Sequence, residues 1–174
     1  MRTCFGMIRN LRFCLLAVQL AGLLTGRAAE VVIGDFGGTD FGDWAKTGTA
    51  FNAGPAAGDL LNQLEIENAG GQRVASSEIE GDGPTGTLTS PEFKVARKYI
   101  SFLVGGGDYE QDTCVNLLLD GKIVRSATGW RSDRLVPASW DVSRFVGQNA
   151  QVQIVDAASG DEVLPLVPAG RLFH

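Results

Sequence analysis

The chain predicts an all-β fold, an antiparallel β-sandwich, from three observations. Short apolar or alternating runs are divided by turn residues at a spacing of about 8–12 residues. Beyond residue 28, no segment shows an apolar stripe at helical spacing. Asp120-Gly121 separates Leu117–Leu119 from Ile123-Val124. Asp-Gly favours the type I′ hairpin turn, in which both central residues take positive φ.

The predicted strands are 31–36, 49–52, 61–67, 74–80, 86–95, 98–105, 113–120, 122–128, 140–142 and 150–156. Leu64-Glu65-Ile66-Glu67 and Gln151-Val152-Gln153-Ile154 alternate apolar and polar residues, the pattern of strands with one wet face. Residues 100–104 and 115–119 are nearly all apolar, which predicts central strands. Pro91 interrupts its segment and marks an edge, a bulge or a strand boundary, because proline has no ladder donor. The 23 glycines are spread along the chain as turn punctuation.

The first 28 residues read as a secretory signal peptide. Arg2, Arg9 and Arg12 form a positive n-region without acidic residues. Residues 13–24 are an apolar stretch of 12, short of the ~20 that span a bilayer. Gly26-Arg27-Ala28 places small residues where a peptidase reads, so cleavage is expected after Ala28. The expected organisation is residues 1–28 as signal peptide, 29–160 as the sandwich and 161–174 as an atypical, disordered tail. The expected location is secreted or periplasmic, with no membrane insertion after cleavage.

Removing that segment takes away four arginines and leaves 11 basic against 20 acidic residues. Such an acidic product argues against nucleic acid and anionic membrane faces as partners. Cys4 and Cys14 leave with the segment, so Cys114 stands alone and no internal disulfide forms. Its apolar strand makes it a buried small hydrophobe rather than a reactive thiol. The single histidine is the terminal His174, which excludes Cys/His zinc sites and Ser-His-Asp or Cys-His catalysis.

Gly81-Asp82-Gly83-Pro84-Thr85-Gly86 matches G-x-G-x-x-G, but β-type sequence follows it. A phosphate site needs a helix N-terminus there, so the motif reads as a turn. Asp35, Asp40 and Asp43 cluster in a glycine-rich stretch, read first as solvated turns. Glycosidases work with a carboxylate pair about 5–10 Å apart, and adjacency in sequence does not establish one. Asp35 with Asp156 is the candidate for a structural calcium ion, on analogy with sugar-binding sandwiches. No other cofactor is expected. Trp44, Trp130 and Trp140 carry faces that stack on sugars. Trp140 and Phe36, Phe41, Phe51, Phe93 and Phe102 read as core. Trp130 precedes the polar stretch 131–134, and Tyr109 follows Gly105-Gly106-Gly107-Asp108. Trp130, Tyr109 and Arg131 are therefore the carbohydrate-binding candidates, on loops set on a rigid sandwich.

A set of short pieces in a fixed order carries a resemblance across about residues 35–159. They are Phe41-Gly42-Asp43-Trp44 with residues 47–51, Gly54-Pro55, residues 86–91, Gly105-Gly106-Gly107, residues 115–129, Trp140-Asp141-Val142 and Ile154-Val155-Asp156. In this order they resemble the β-sandwich accessory domain of levanase-type glycoside hydrolases of family 32, which cleave fructans. The resemblance implies a jelly-roll, galactose-binding-like sandwich in polysaccharide breakdown. Its partner would be a polysaccharide such as fructan, or a glycosidase catalytic domain on which it docks. The catalytic propeller motifs of that family, of the W-M-N-D-P-N, R-D-P and E-C types, do not occur here, so no catalytic residue is carried over. The family's closing Gly-Trp-Gly-His-Ile type segment is replaced by residues 161–168, with Pro165 and Pro168. Two prolines there are expected to prevent a closing strand, whether through a truncated or shifted frame or through divergence. Two other readings stay open: a glycosidase using carboxylates such as Asp43 and Asp156, and a structural envelope or adhesion module. N-terminal sequencing of the exported chain should begin at Ala29; an intact Met1 on the exported protein would rule out the signal peptide.

Overall fold

In a computed structural model, residues 31–57, 73–77, 83–158 and 166–168 are described. The signal segment 1–28 and the expected strand 61–67 lie outside these residues. Among the described residues no helix is long and apolar enough to cross a membrane. The fold is the expected antiparallel β-sandwich, built from strands β1 Ala45–Gly48, β2 Ala56–Ala57, β3 Arg73–Ser76, β4 Gly86–Thr89, β5 Phe93–Lys94, β6 Tyr99–Gly106, β7 Thr113–Leu119, β8 Lys122–Ala127, β9 Ser132–Asp141, β10 Asn149–Asp156 and β11 Leu166–Pro168. One sheet runs β1-β4-β10-β7-β8, with β5 also on β10; the other runs β2-β3-β11-β6-β9.

The two sheets share a core because alternate residues of each strand point inward. Leu88, Val115, Leu117, Val152 and Ile154 come from the first sheet, and Ala75, Ile100, Phe102, Val104 and Trp140 from the second. β7 is buried along its whole length, as its continuous apolar run predicts. Phe36, Phe41 and Phe51 plug one side of this core through edge-to-face contacts, and Trp44 packs edge-on against Phe36. A smaller cluster of Ala56, Val74 and Leu135, with Leu103 against it, forms a separate apolar contact.

The hairpin turn is as expected. Asp120 (φ 47°) and Gly121 (φ 73°) both lie in the left-handed region, and Leu119 pairs with Lys122. Of the alternatives open at Pro91, the strand boundary is the one found: the expected strand 86–95 divides into β4 and β5, and Ser90 makes good the break. The Ser90 hydroxyl accepts the Val152 N–H at 2.9 Å, the place a ladder carbonyl would take. The Ser90 N–H in turn donates to the Val152 carbonyl. β10 therefore keeps its partner on that side from β4 through to β5.

Several expectations are corrected. Residues 31–36 hold only an isolated bridge at Val32 and residues 49–52 are bend and turn; the strand of this region is Ala45–Gly48. Residues 132–141 form one ten-residue strand, where only 140–142 was expected. Its polar start and Pro137 hid it, and both are tolerated because β9 is an edge strand. The expectation that the two prolines leave no strand in the tail is overturned for Leu166–Pro168. These residues pair with β3, and Leu166 also with Gly105 of β6. Leu166 and Val167 keep their N–H donors, and Pro168 is the last residue of the strand, where a missing donor costs least. The remainder of 161–174 lies outside the described residues.

Gly48 and Gly86 face each other where β1 and β4 end. A Cβ on Gly86 would overlap the Thr47 carbonyl, and one on Gly48 the Thr85 carbonyl. A Cβ on Gly83 would meet nothing. Gly86→Ala should lower stability by about 1–3 kcal/mol, the usual range for overpacking. Gly83→Ala should be close to neutral; equal urea midpoints for the two variants would contradict this reading.

Candidate functional site

The loop after β6 and the loop after β8 meet at one end of the sandwich. Gly129 donates its N–H to the Gly107 carbonyl at 2.7 Å, and Trp130 forms a parallel bridge with Gly106. A Cβ on Gly129 would overlap the Gly105 carbonyl, so only glycine lets the two chains approach this closely. On the other side, the Tyr109 carbonyl accepts the N–H groups of Asp112 and Thr113 at 3.2 and 3.0 Å. That turn returns the chain into β7 and fixes Tyr109 beside the other loop.

Trp130 and Arg131 take φ of 61° and 52° in succession. The left-handed region costs a residue with a Cβ about 1–2 kcal/mol. Such strain persists only where surrounding structure holds it. Here Gly129 on one side and the pairing of Ser132 with Gly106 on the other enforce it. The turn leaves the Trp130 side chain 75% exposed. Arg131 donates from Nη2 to the Tyr109 hydroxyl at 2.7 Å, and its guanidinium carbon lies 5.1 Å from the Tyr109 ring centroid. The Thr128 hydroxyl donates to Asp108 Oδ1 at 2.7 Å.

A cavity of about 410 Å³ opens beside Trp130, within the ~300–1,000 Å³ range of small-ligand sites. It lies in the seam between the edge strands β8 and β9, with Ser126, Pro137 and Trp140 in its walls and Trp130 and Glu110 also in its lining. The Trp140 Nε1–H donates across the seam to the Ser126 carbonyl at 3.3 Å. Trp140 thus serves the core, as expected, and also the cavity wall.

The three carbohydrate-binding candidates Trp130, Tyr109 and Arg131 therefore stand together. Glu110, Pro137 and Thr128 join them without having been singled out. Glu110 had a sequence signal in its position directly after Tyr109, whereas Pro137 depends on where β9 runs. The other candidates are dispersed. Asp35, Asp40 and Asp43 are exposed, and Asp35 and Asp40 accept the N–H of Gly37 and Gly42 in local turns. Asp156 is wholly buried, and burial pushes its carboxyl above the usual range. Among the described residues no group of three or more His, Cys, Asp or Glu side chains is placed to hold a metal ion. Asp141 turns the chain after β9. Its Oδ1 accepts the Ser143 hydroxyl and N–H, and these bonds hold its carboxyl below the usual range.

With this geometry in view, similarity to a known protein takes on meaning. A protein from Aspergillus rugulosus named "Putative glycosyl hydrolase ecdE" is 35% identical over an alignment of 164 positions, which covers 77% of this chain. The chain spans about a quarter of that relative's length, 23%. No family model matches the chain, and no solved structure matches it.

Cys114 lies on β7 at 1% exposure, and burial raises its thiol pKa. The thiolate is the reactive form. Cys114 in the native chain should therefore resist a thiol reagent at pH 8 and react fully once urea unfolds the protein. Rapid native-state labelling would contradict the buried-hydrophobe reading.

Proposed function

We propose that the chain is an exported, non-catalytic carbohydrate-binding sandwich, related to the accessory domain of levanase-type glycoside hydrolases of family 32. It would hold a polysaccharide such as fructan for a glycosidase catalytic domain. The observation that carries this reading is Trp130, exposed on a backbone turn that costs energy to maintain. An exposed indole offers a sugar ring a flat apolar face. The Arg131–Tyr109 pair beside it supplies donors for sugar hydroxyls, and the paired stacking keeps both side chains ordered before a ligand arrives. A strained, exposed aromatic is a poor investment for stability alone, and it makes sense where function uses it.

The cavity lining supports a binding role over hydrolysis. Glycoside hydrolysis generally needs two carboxylates flanking the bond. Glu110 is the one carboxylate among the described residues that line the cavity. Asp43 and Asp156 differ in setting, the first exposed and the second buried.

Two outcomes are expected. The purified chain should release no fructose from levan or inulin; release that is lost in Asp43→Asn, Asp156→Asn or Glu110→Gln would refute the non-catalytic reading. Trp130→Ala should weaken retention on immobilised levan or inulin roughly twofold to tenfold, the loss of one stacking contact of about 0.5–1.5 kcal/mol. Its Tm should barely change. Trp130→Gly should lose retention equally while its Tm holds or rises, because glycine relieves the left-handed strain. A marked fall in Tm with unaltered retention would place the site elsewhere.

A further inference from the structure

Side chains alternate in direction along a strand. On β10, Ala150, Val152 and Ile154 face the shared core, so Asp156 faces it too at the strand's end. On β7, Val115, Leu117 and Leu119 face the same core, and Thr113 begins that series. On β3, Ala75 lies in the core, and Ser77 follows two residues later. Thr113 and Asp156 are direct partners in the β7–β10 ladder. The Ser77 hydroxyl approaches Asp156 from the other sheet; burial pushes the Asp156 carboxyl up, and Ser77 and the Ala158 N–H offset that only in part. Neither group makes a hydrogen bond of ordinary geometry with it.

One end of the apolar core therefore ends in a carboxylate and two hydroxyls, all on residues with no solvent exposure. Both Asp156 oxygens, Ser77 Oγ and Thr113 Oγ1 have no hydrogen-bond partner among the described residues. Folded proteins rarely leave buried polar atoms unpaired, and several such atoms in one place call for an occupant. A cation would accept the oxygen lone pairs and offset the cost of burying the Asp156 carboxylate.

We propose that Asp156, Ser77 and Thr113 bind a calcium-sized hard cation that ties the two sheets together at this end. The donors are all oxygen, which suits a hard cation and gives soft metals nothing to hold. Calcium accepts irregular sets of about 6–8 oxygens, whereas magnesium demands near-octahedral order and keeps its waters. The remaining ligand positions would go to backbone carbonyls and water. This donor set differs from the pair expected from sequence. Asp156 stays, but Asp35 is exposed and its Oδ1 is engaged by the Gly37 N–H. Two hydroxyls take its place. The site lies directly behind the Tyr109 turn, since Thr113 donates its N–H to the Tyr109 carbonyl and Ala157 donates to the Asp112 carbonyl.

The test strips the chain with a chelator and then adds calcium chloride during thermal melts. Tm should rise on the order of 10 °C once calcium exceeds its Kd about a hundredfold. Elemental analysis after gel filtration should find about one calcium per chain, and magnesium should shift Tm less. Asp156→Asn keeps the side-chain shape without the charge and should abolish the calcium shift. Thr113→Val keeps the β-branched shape without the hydroxyl and should require more calcium for the same shift. If Asp156→Asn does not fold, Thr113→Val decides alone. A Tm unmoved by calcium overturns the proposal and leaves water or a proton on Asp156 as the occupant. A shift unchanged in Thr113→Val, or equal for magnesium, overturns it as well.

Discussion

Every strand of the larger sheet takes its register from β10, directly or through one neighbour. β4 and β5 pair on one side of it and β7 on the other, while β1 hangs on β4 and β8 on β7. This is a strong constraint because side chains alternate. A slip of one residue in β10 would turn Val152 and Ile154 outward and bring Gln151 and Gln153 into the core. The Ser90 hydroxyl protects that register at its weakest point, where Pro91 breaks the neighbouring strand. The second sheet is held against the first by the common core, and at the β8–β9 seam by side-chain hydrogen bonds from Trp140 to the Ser126 carbonyl and from Arg125 to the Asp141 carbonyl.

The candidate sugar site follows from how the two sheets end. β8 and β9 are edge strands of different sheets, and the seam between them is where the cavity lies. A short connection must carry the chain across that seam. Glycine at 129 allows the crossing to press against β6, and the left-handed pair at 130 and 131 completes it. The side chain with the largest apolar face is thereby pushed into solvent. The geometry that closes the sandwich and the geometry that presents Trp130 are one arrangement.

The buried polar group of Asp156, Ser77 and Thr113 lies behind the same end. Tyr109 is anchored through its carbonyl to the first residues of β7, and Thr113 is one of them. Rigidity at the Thr113–Asp156 pair is thus passed to the loop that positions Tyr109 and, through it, Arg131. A clamp between the sheets at this point would lower the entropy that the loop must lose on meeting a ligand.

Sequence by itself determined the all-β class, the Asp120-Gly121 hairpin, the boundary at Pro91 and the central place of residues 115–119, because turn chemistry and period-two patterning are local properties. It also singled out Trp130, Tyr109 and Arg131, since a large aromatic in a polar, glycine-flanked stretch stands out without any structure. It missed most of β9, whose polar start and Pro137 are tolerated because it is an edge strand, and it missed β11, whose Pro168 stands at the end of the strand. The joining of Trp130 to Glu110 and Pro137 in one cavity, and the meeting of Asp156 with Ser77 and Thr113, were decided by tertiary structure alone. Those residues come from different strands and different sheets, and only the packing of one sheet on the other sets the distances between them.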